Sequence, residues 1–356
     1  MQRNRSIFEF GRVAPPLLIA MTILAIPAAI SAQGCMPLHF TTPSLGGEGI
    51  VFLRPHQWQV GLAGRRVATD KFFVGDTEKP SAGPFGQGVN LWLNSADLSL
   101  TYALTEQTSV SLSVPFFSGT AEQTNADTQR HQVSNTGVGD ISATVNRWLW
   151  APSRNPTGNM SLGLGLKAPT GGYHAMGDFY SSTGVVTQSM ITPTMQLGDG
   201  GWAILAQTQA YRQVFARTAA YASGLYSASL REHTDEVWGG WPTKFLSVPD
   251  VYTARAGLAF AVAPDQGVSA SIGGRVDGTR MSDLFGGRDD YKRSPGYYIY
   301  VEPGLAWSTG PNQFTLSVPV RLRSNYYTVT LSDGTEKLGA GGVNDFIVYA
   351  GVSRRF

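Results

Sequence analysis

Five histidines, His39, His56, His131, His174 and His233, are the side chains best able to move a proton near neutral pH, and none stands in a recognisable nucleophile motif. The run "REHTDE" (231–236) offers Glu232, His233, Asp235 and Glu236 as cation ligands, and "GGRDD" (286–290) offers Asp289 and Asp290. Both fall in polar stretches where solvated loop charge is the plainer reading, so no metal, no cofactor and no catalytic residue is expected. The lone Cys35 excludes an intramolecular disulfide.

A more informative set of charges lies on segments that alternate apolar and polar. Arg65, Asp97, Asp140, Lys167, Arg255, Arg275, Asp277, Glu302, Arg321, Arg323 and Asp345 all fall on the polar face of such segments. Brought together they nearly balance, six basic against five acidic, and would either pair to rigidify an interior or form a constriction that selects solutes. Glu302 and Arg321 lie about equally far from the turn "TGPNQ", which predicts a cross-strand pair, and Asp140 and Lys167 are placed at corresponding ends of neighbouring strands.

The elements that would hold these charges read as twelve strands, near 56–67, 90–104, 108–118, 137–150, 158–168, 190–198, 201–215, 249–262, 267–279, 296–309, 313–325 and 343–356. In the third, Val110, Leu112, Val114 and Phe116 oppose Ser109, Ser111 and Ser113; in the fifth, Leu162, Leu164 and Leu166 oppose Gly163, Gly165 and Lys167. Tight turns at 105–108, 151–158, 198–201, 263–267 and 309–313 alternate with long polar loops near 68–89, 119–136, 169–189, 216–248, 280–295 and 326–342. Such alternation, an even strand count and strands of about ten residues predict an all-β, transmembrane, antiparallel up-and-down β-barrel with short periplasmic turns and long extracellular loops. Trp58, Trp148, Trp150, Trp202, Trp307 and Tyr297 stand near strand ends, as interfacial girdle residues would.

Residues 1–32 read as a secretory signal, with Arg3, Arg5 and Arg12 ahead of the apolar run "PPLLIAMTILAIPAAI" and cleavage after Ala32; cleavage before a lipidated Cys35 is the alternative. Residues 33–55 then form a periplasmic segment and 56–356 the barrel, in a bacterial outer membrane. Removing the signal leaves 24 basic and 24 acidic residues, which gives no support to nucleic-acid binding. The closing strand "DFIVYAGVSRRF" keeps one face apolar to Phe356, and Gly351 with Phe356 resembles the signal that such barrels show to the barrel assembly machinery, although Arg354 replaces a hydrophobe.

One strand-loop-strand unit occurs twice: "TSVSLSVPFFSG" leads, 25 residues after Pro115, to Asp140 in "GVGD", and "NQFTLSVPVRLRS" leads, 26 residues after Pro319, to Asp345 in "GVND". Gly137, Gly139 and the glycine pairs at 171–172 and 341–342 mark bulges or close backbone approach where loops enter strands. The segments "LSLTYALTEQTSVSLSVPF", "NTGVGDISATVNRWLW" and "LGLGLKAPTG" resemble the outer-membrane transporter family labelled "MetA-pathway of phenol degradation", in order from about Trp58 to Phe356. The paired motifs that carry the likeness are Gly137, Gly139 and Asp140, then Lys167, Pro169, Thr170 and Gly171. The resemblance implies a channel or transporter often associated with aromatic compounds. The expected function is passive uptake of small aromatic or hydrophobic molecules, with outer-membrane lipid and a small solute as partners and no enzymatic activity. A closed structural barrel, or one whose loops bind a partner, is the alternative.

Overall fold

The computed structural model describes residues 52–79, 90–237, 245–285, 293–330, 334 and 336–356. The signal segment, Cys35 and the "GGRDD" run lie outside them.

Twelve antiparallel strands close on themselves. They are β1 (Trp58–Val74), β2 (Asn90–Ala103), β3 (Thr108–Thr124), β4 (Arg130–Val138 and Ser142–Trp148), β5 (Gly158–Lys167), β6 (Ala203–Phe215), β7 (Thr218–Ser229), β8 (Val251–Ala263), β9 (Val268–Thr279), β10 (Gly296–Thr309), β11 (Asn312–Ser317 and Val320–Tyr326) and β12 (Ala340–Arg355). Each pairs with its neighbours in sequence, and β12 returns to β1 from Gln59↔Arg355 to Val74↔Ala340. Closure pairs every strand with two neighbours over part of its length, which is the condition for a sheet to cross hydrocarbon, and leaves a largely free edge on Arg130–Val138 and Val320–Tyr326 toward the long-loop end.

The pleat sorts the side chains. Val110, Leu112 and Phe116 on β3, Leu162, Leu164 and Leu166 on β5, Phe314 and Leu316 on β11 and Val352 on β12 all stand exposed on the outer wall. In water so broad an apolar band would drive aggregation, whereas acyl chains match it. The alternating partners turn inward, where Arg65, Thr144, Ser161 and Lys167 are buried. Connections of two to nine residues join strands at one end, the shortest being 216–217 and 310–311; those at the other end are longer except 125–129, because β3 and β4 run on through what reads as a loop at 119–136.

Strand count, closure and sidedness agree with the sequence reading, and three further local expectations do not. Residues 190–198 are not a strand: Val186–Met190 closes a hairpin with Met176–Tyr180, and Pro193–Met195 is a turn of 3-10 helix. The "GDGG" run therefore lies at the long-loop end, and the tight turn is at 216–217, followed by a strand, Thr218–Ser229, inside what reads as a loop. The outer-wall residues of that strand include Ala220, Ala222 and Gly224, too small to print an apolar alternation. The third expectation concerns Trp148, which faces the interior against Phe52 and Tyr211 at ring-centroid distances of 5.1 and 6.2 Å, while Trp58, Trp150, Trp202 and Trp307 are exposed.

Two strands are broken. In β4 the ladder stops at Gly139–Ile141, and in β11 it stops at Val318–Pro319, where proline has no N–H to give. Beyond that break the second half of β11 pairs with β12 only at Val320↔Phe346.

Candidate functional site

The lumen is divided into three levels. At the short-turn end lies a polar cavity of about 380 Å³, lined by Gln59, Ser99, Thr101, Ser111, Ser113, Asn146, Gln207, Gln209, Thr315 and Ser353 among others. These are the inward partners of lipid-facing residues, one from every second position of each strand. Phe52, ahead of β1, reaches across this end and packs on Trp148 and Tyr211.

A charged layer roofs the cavity. Arg255 Nη1 donates to Glu302 Oε1 at 3.2 Å and its Nε to Ser223 Oγ at 3.1 Å. Arg275 Nε donates to both oxygens of Asp277 at 3.0 Å, lies 4.0 Å from Glu302, and stacks 4.8 Å from the Tyr349 ring. Thr253 Oγ1 also donates to Asp277, at 2.6 Å. Lys167 Nζ donates to Asp140 Oδ2 at 3.0 Å and pairs with Asp199. Glu302 Oε2 is buried without a hydrogen-bond partner among the described residues. In a low-dielectric wall each of these charges is tolerable only because opposite charge and hydrogen bonds surround it.

Above the layer the lumen is apolar. Val67, Leu91, Leu93, Phe117, Tyr298, Tyr300, Tyr326 and Ile347 from the strands form one cluster with Ile191 and Met195, which come from the connection between β5 and β6. Met195 is fully buried, and Asn135 Nδ2 donates to its carbonyl at 2.9 Å. The Tyr298 and Tyr326 hydroxyls lie 2.5 Å apart and each 2.8 Å from the Gly342 carbonyl, so one donates to the other and the other to the carbonyl, and aromatic surface faces inward with its polar tips satisfied. Residues 190–201 of the connection 168–202 thus fold into the barrel, while its hairpin, Met176–Tyr180 with Val186–Met190, stays largely exposed. A second loop clamps the connection from outside: Tyr173 donates to Asp235 at 3.0 Å, His174 pairs with Glu236, and Arg231 Nη1 donates to the Gly200 carbonyl at 2.8 Å. Hydrogen bonds from its own backbone amide and from the Tyr173 hydroxyl hold the Asp235 carboxyl below the usual carboxylate range. Asp235 and Glu236 of the "REHTDE" run thus serve contacts between loops, and no group of metal-ligating residues is assembled among the described residues.

Eight of the eleven charges read as inward are buried together in the lumen wall: Arg65, Asp97, Asp140, Lys167, Arg255, Arg275, Asp277 and Glu302. The Asp140–Lys167 pair forms as expected. The Glu302–Arg321 pair does not, because the register, unchanged across the break at Val318–Pro319, sets Arg321 opposite Tyr300, two residues away from Glu302. Arg321 instead donates to Asp345 Oδ1 at 2.8 Å, beside Lys71 at 2.7 Å from Oδ2, and Arg323 is exposed near Asp76 at 3.6 Å. Arg323 and Asp345 belong to the rim, whereas Arg321, opposite Tyr300 and 5.0 Å from the Phe73 ring, stays against the apolar level. Asp199, Ile191 and Met195 carry no sequence pattern that marks them as interior. Tyr298 and Tyr300 do, since they share the parity of Glu302 on one strand.

No family model matches the chain, and no curated protein matches it. Among solved structures it resembles an outer membrane channel from Pseudomonas putida F1, at 16% identity and a TM-score of 0.61 over 89% of this chain and 100% of that one. It aligns more loosely with a Pseudomonas aeruginosa FadL homologue, at 10% identity and TM-score 0.42 over 92% and 99% of the two chains. The P. putida toluene transporter TodX aligns at 11% identity and TM-score 0.40 over 92% and 98%. The first likeness establishes the class: this is a transmembrane up-and-down β-barrel with the fold of an outer-membrane channel.

Proposed function

We propose that the chain is a bacterial outer-membrane channel for passive uptake of small hydrophobic or aromatic molecules. The observation that carries this reading is the apolar, tyrosine-rich level of the lumen above the charged layer. A hydrophilic solute entering there would shed its water without finding partners, at a cost of about 2–7 kcal/mol for each unsatisfied polar group. An apolar solute that takes the place of Ile191 and Met195 regains their contacts at about 25 cal/mol per Å² buried. The resemblance to the family labelled "MetA-pathway of phenol degradation" supports an association with aromatic compounds, and the barrel-channel fold supports transport over catalysis. Outer-membrane lipid and a small solute are the partners this reading requires, with the barrel assembly machinery acting on the strand that carries Gly351 and Phe356.

The test compares influx of a naphthalene-class dye into cells that do or do not produce the barrel with swelling of proteoliposomes in a disaccharide. Faster dye entry with no swelling is expected. Swelling without dye entry would overturn the hydrophobic assignment, and neither response would move the weight to a closed structural or surface-binding barrel.

A further inference from the structure

The two motifs "GVGD" and "LKAPTG" converge on one spot, and that spot holds the return of the connection 168–202. Thr170 Oγ1 donates to the Gly139 carbonyl at 2.9 Å and accepts from the Ile141 amide at 2.9 Å, which ties the motifs to each other across the break in β4. Asp140 then receives the loop: its Oδ1 accepts the Gly171 amide at 2.9 Å, and its Oδ2 accepts the Asp199 amide at 3.3 Å as well as Lys167 Nζ at 3.0 Å. Lys167, buried in the wall, reaches the Asp199 carboxylate on its other side.

The glycines clear a path for the same segment. A Cβ at Gly139 would stand 2.9 Å from the Leu197 carbonyl oxygen, one at Gly171 would stand 2.7 Å from Leu197 and Gly198 backbone atoms, and one at Gly198 would collide with Asp140 and approach the Gly171 carbonyl to 2.6 Å. The glycine approaches and the bonds that Asp140 and Lys167 make to Asp199 all involve residues 197–199, immediately after the segment whose Ile191 and Met195 fill the apolar level.

We propose that residues 190–199 of the connection 168–202 are a removable plug and that the Asp140–Lys167–Asp199 contact, seated in this glycine-lined slot, is its latch. Held, it keeps Ile191 and Met195 in the lumen; released, it joins the apolar level to the polar cavity. What passes through the opened lumen rests on the channel reading above, whereas the latch itself does not.

Two chemically unrelated variants test it. Asp199→Asn removes the charge that Lys167 holds, and Gly198→Ala adds a methyl group where Asp140 and the Gly171 carbonyl stand. Gly274→Ala, whose Cβ would meet nothing within 4 Å, is the control. A gel shift on heating first confirms that each barrel is folded. Amide exchange over residues 190–199 is expected to quicken at least tenfold in both latch variants with strand amides unchanged, and open-channel events in a planar bilayer to become at least tenfold more frequent. Unchanged exchange in both variants overturns the latch. A freed loop with an unchanged open frequency overturns the plug. Failure of the channel reading would show separately, as absent dye influx beside intact latch readouts.

Discussion

Glu302 sits between two guanidinium groups, 3.2 Å from Arg255 and 4.0 Å from Arg275, and it is 2% exposed. Replacing it with the isosteric glutamine removes no volume but leaves an excess positive charge where water is scarce. We expect Glu302→Gln to cost about 3–5 kcal/mol, the range for breaking a buried ion pair from one side, read as a lower midpoint for the mobility shift on heating. Arg321 looks equivalent in the sequence and is not. Its partner Asp345 is half exposed and keeps Lys71, so although Arg321 itself is only 13% exposed and also bonds the Asn344 carbonyl, Arg321→Ala leaves no buried charge unpaired and is expected to cost about 1–3 kcal/mol, less than Glu302→Gln, and to leave the ion preference of the cavity unchanged. A shift in ion preference for Arg321→Ala alone would place it on the ion path.

At the scale of strands, what was legible depended on side-chain size and on ladder continuity. β3 and β5 declare their sidedness through leucine, valine and phenylalanine, and both lie where the alternation puts them. β7 hides because Ala220, Ala222 and Gly224 face lipid, and the apolar run 190–198 misleads because a plug needs the same residues as a wall. The repeated Pro-to-Asp unit was visible, and its physical content is a repeated defect. The Pro115 carbonyl accepts the Gly139 amide at 2.8 Å and the Pro319 carbonyl accepts the Ile347 amide at 3.0 Å, beside an aspartate that pairs with a lysine on the next strand: Asp140 with Lys167, Asp345 with Lys71. The second copy is irregular at two places that no residue type announces, at Leu322 on β11 and beside Asp345 where β12 meets β1, so Arg323 and Asp345 lose the inward parity that a regular strand would give them, while Arg321 keeps it opposite Tyr300. Where the ladder is regular, depth decides cost. Leu164, the centre of the β5 stripe and 64% exposed, becomes costly as Leu164→Arg, by about 2–4 kcal/mol if it lies at the bilayer midplane. Urea titration of folding into vesicles reads that difference, and a neutral result would place this stripe outside the hydrocarbon.

The barrel is asymmetric along its axis: a polar cavity at the short-turn end, a charge-paired layer, and an apolar level filled by a loop that is itself clamped from outside. Twelve strands make a bore between that of barrels filled by side chains and that of wide porins, so one inserted connection is enough to fill its outer half. The asymmetry predicts one-sided accessibility. Thr315 lines the cavity on β11, whereas Phe117 on β3 is buried in the apolar cluster. In a protein with Cys35 replaced by serine and inserted in one orientation, Thr315→Cys should react with a sulfonated maleimide supplied from the short-turn side and stay unreacted from the loop side, while Phe117→Cys should resist both. Combined with Asp199→Asn, Thr315→Cys should become reactive from the loop side as well, because release of the plug joins the two compartments. Equal labelling from both sides without that second substitution would mean that the lumen is already continuous, and the plug would then have nothing to close.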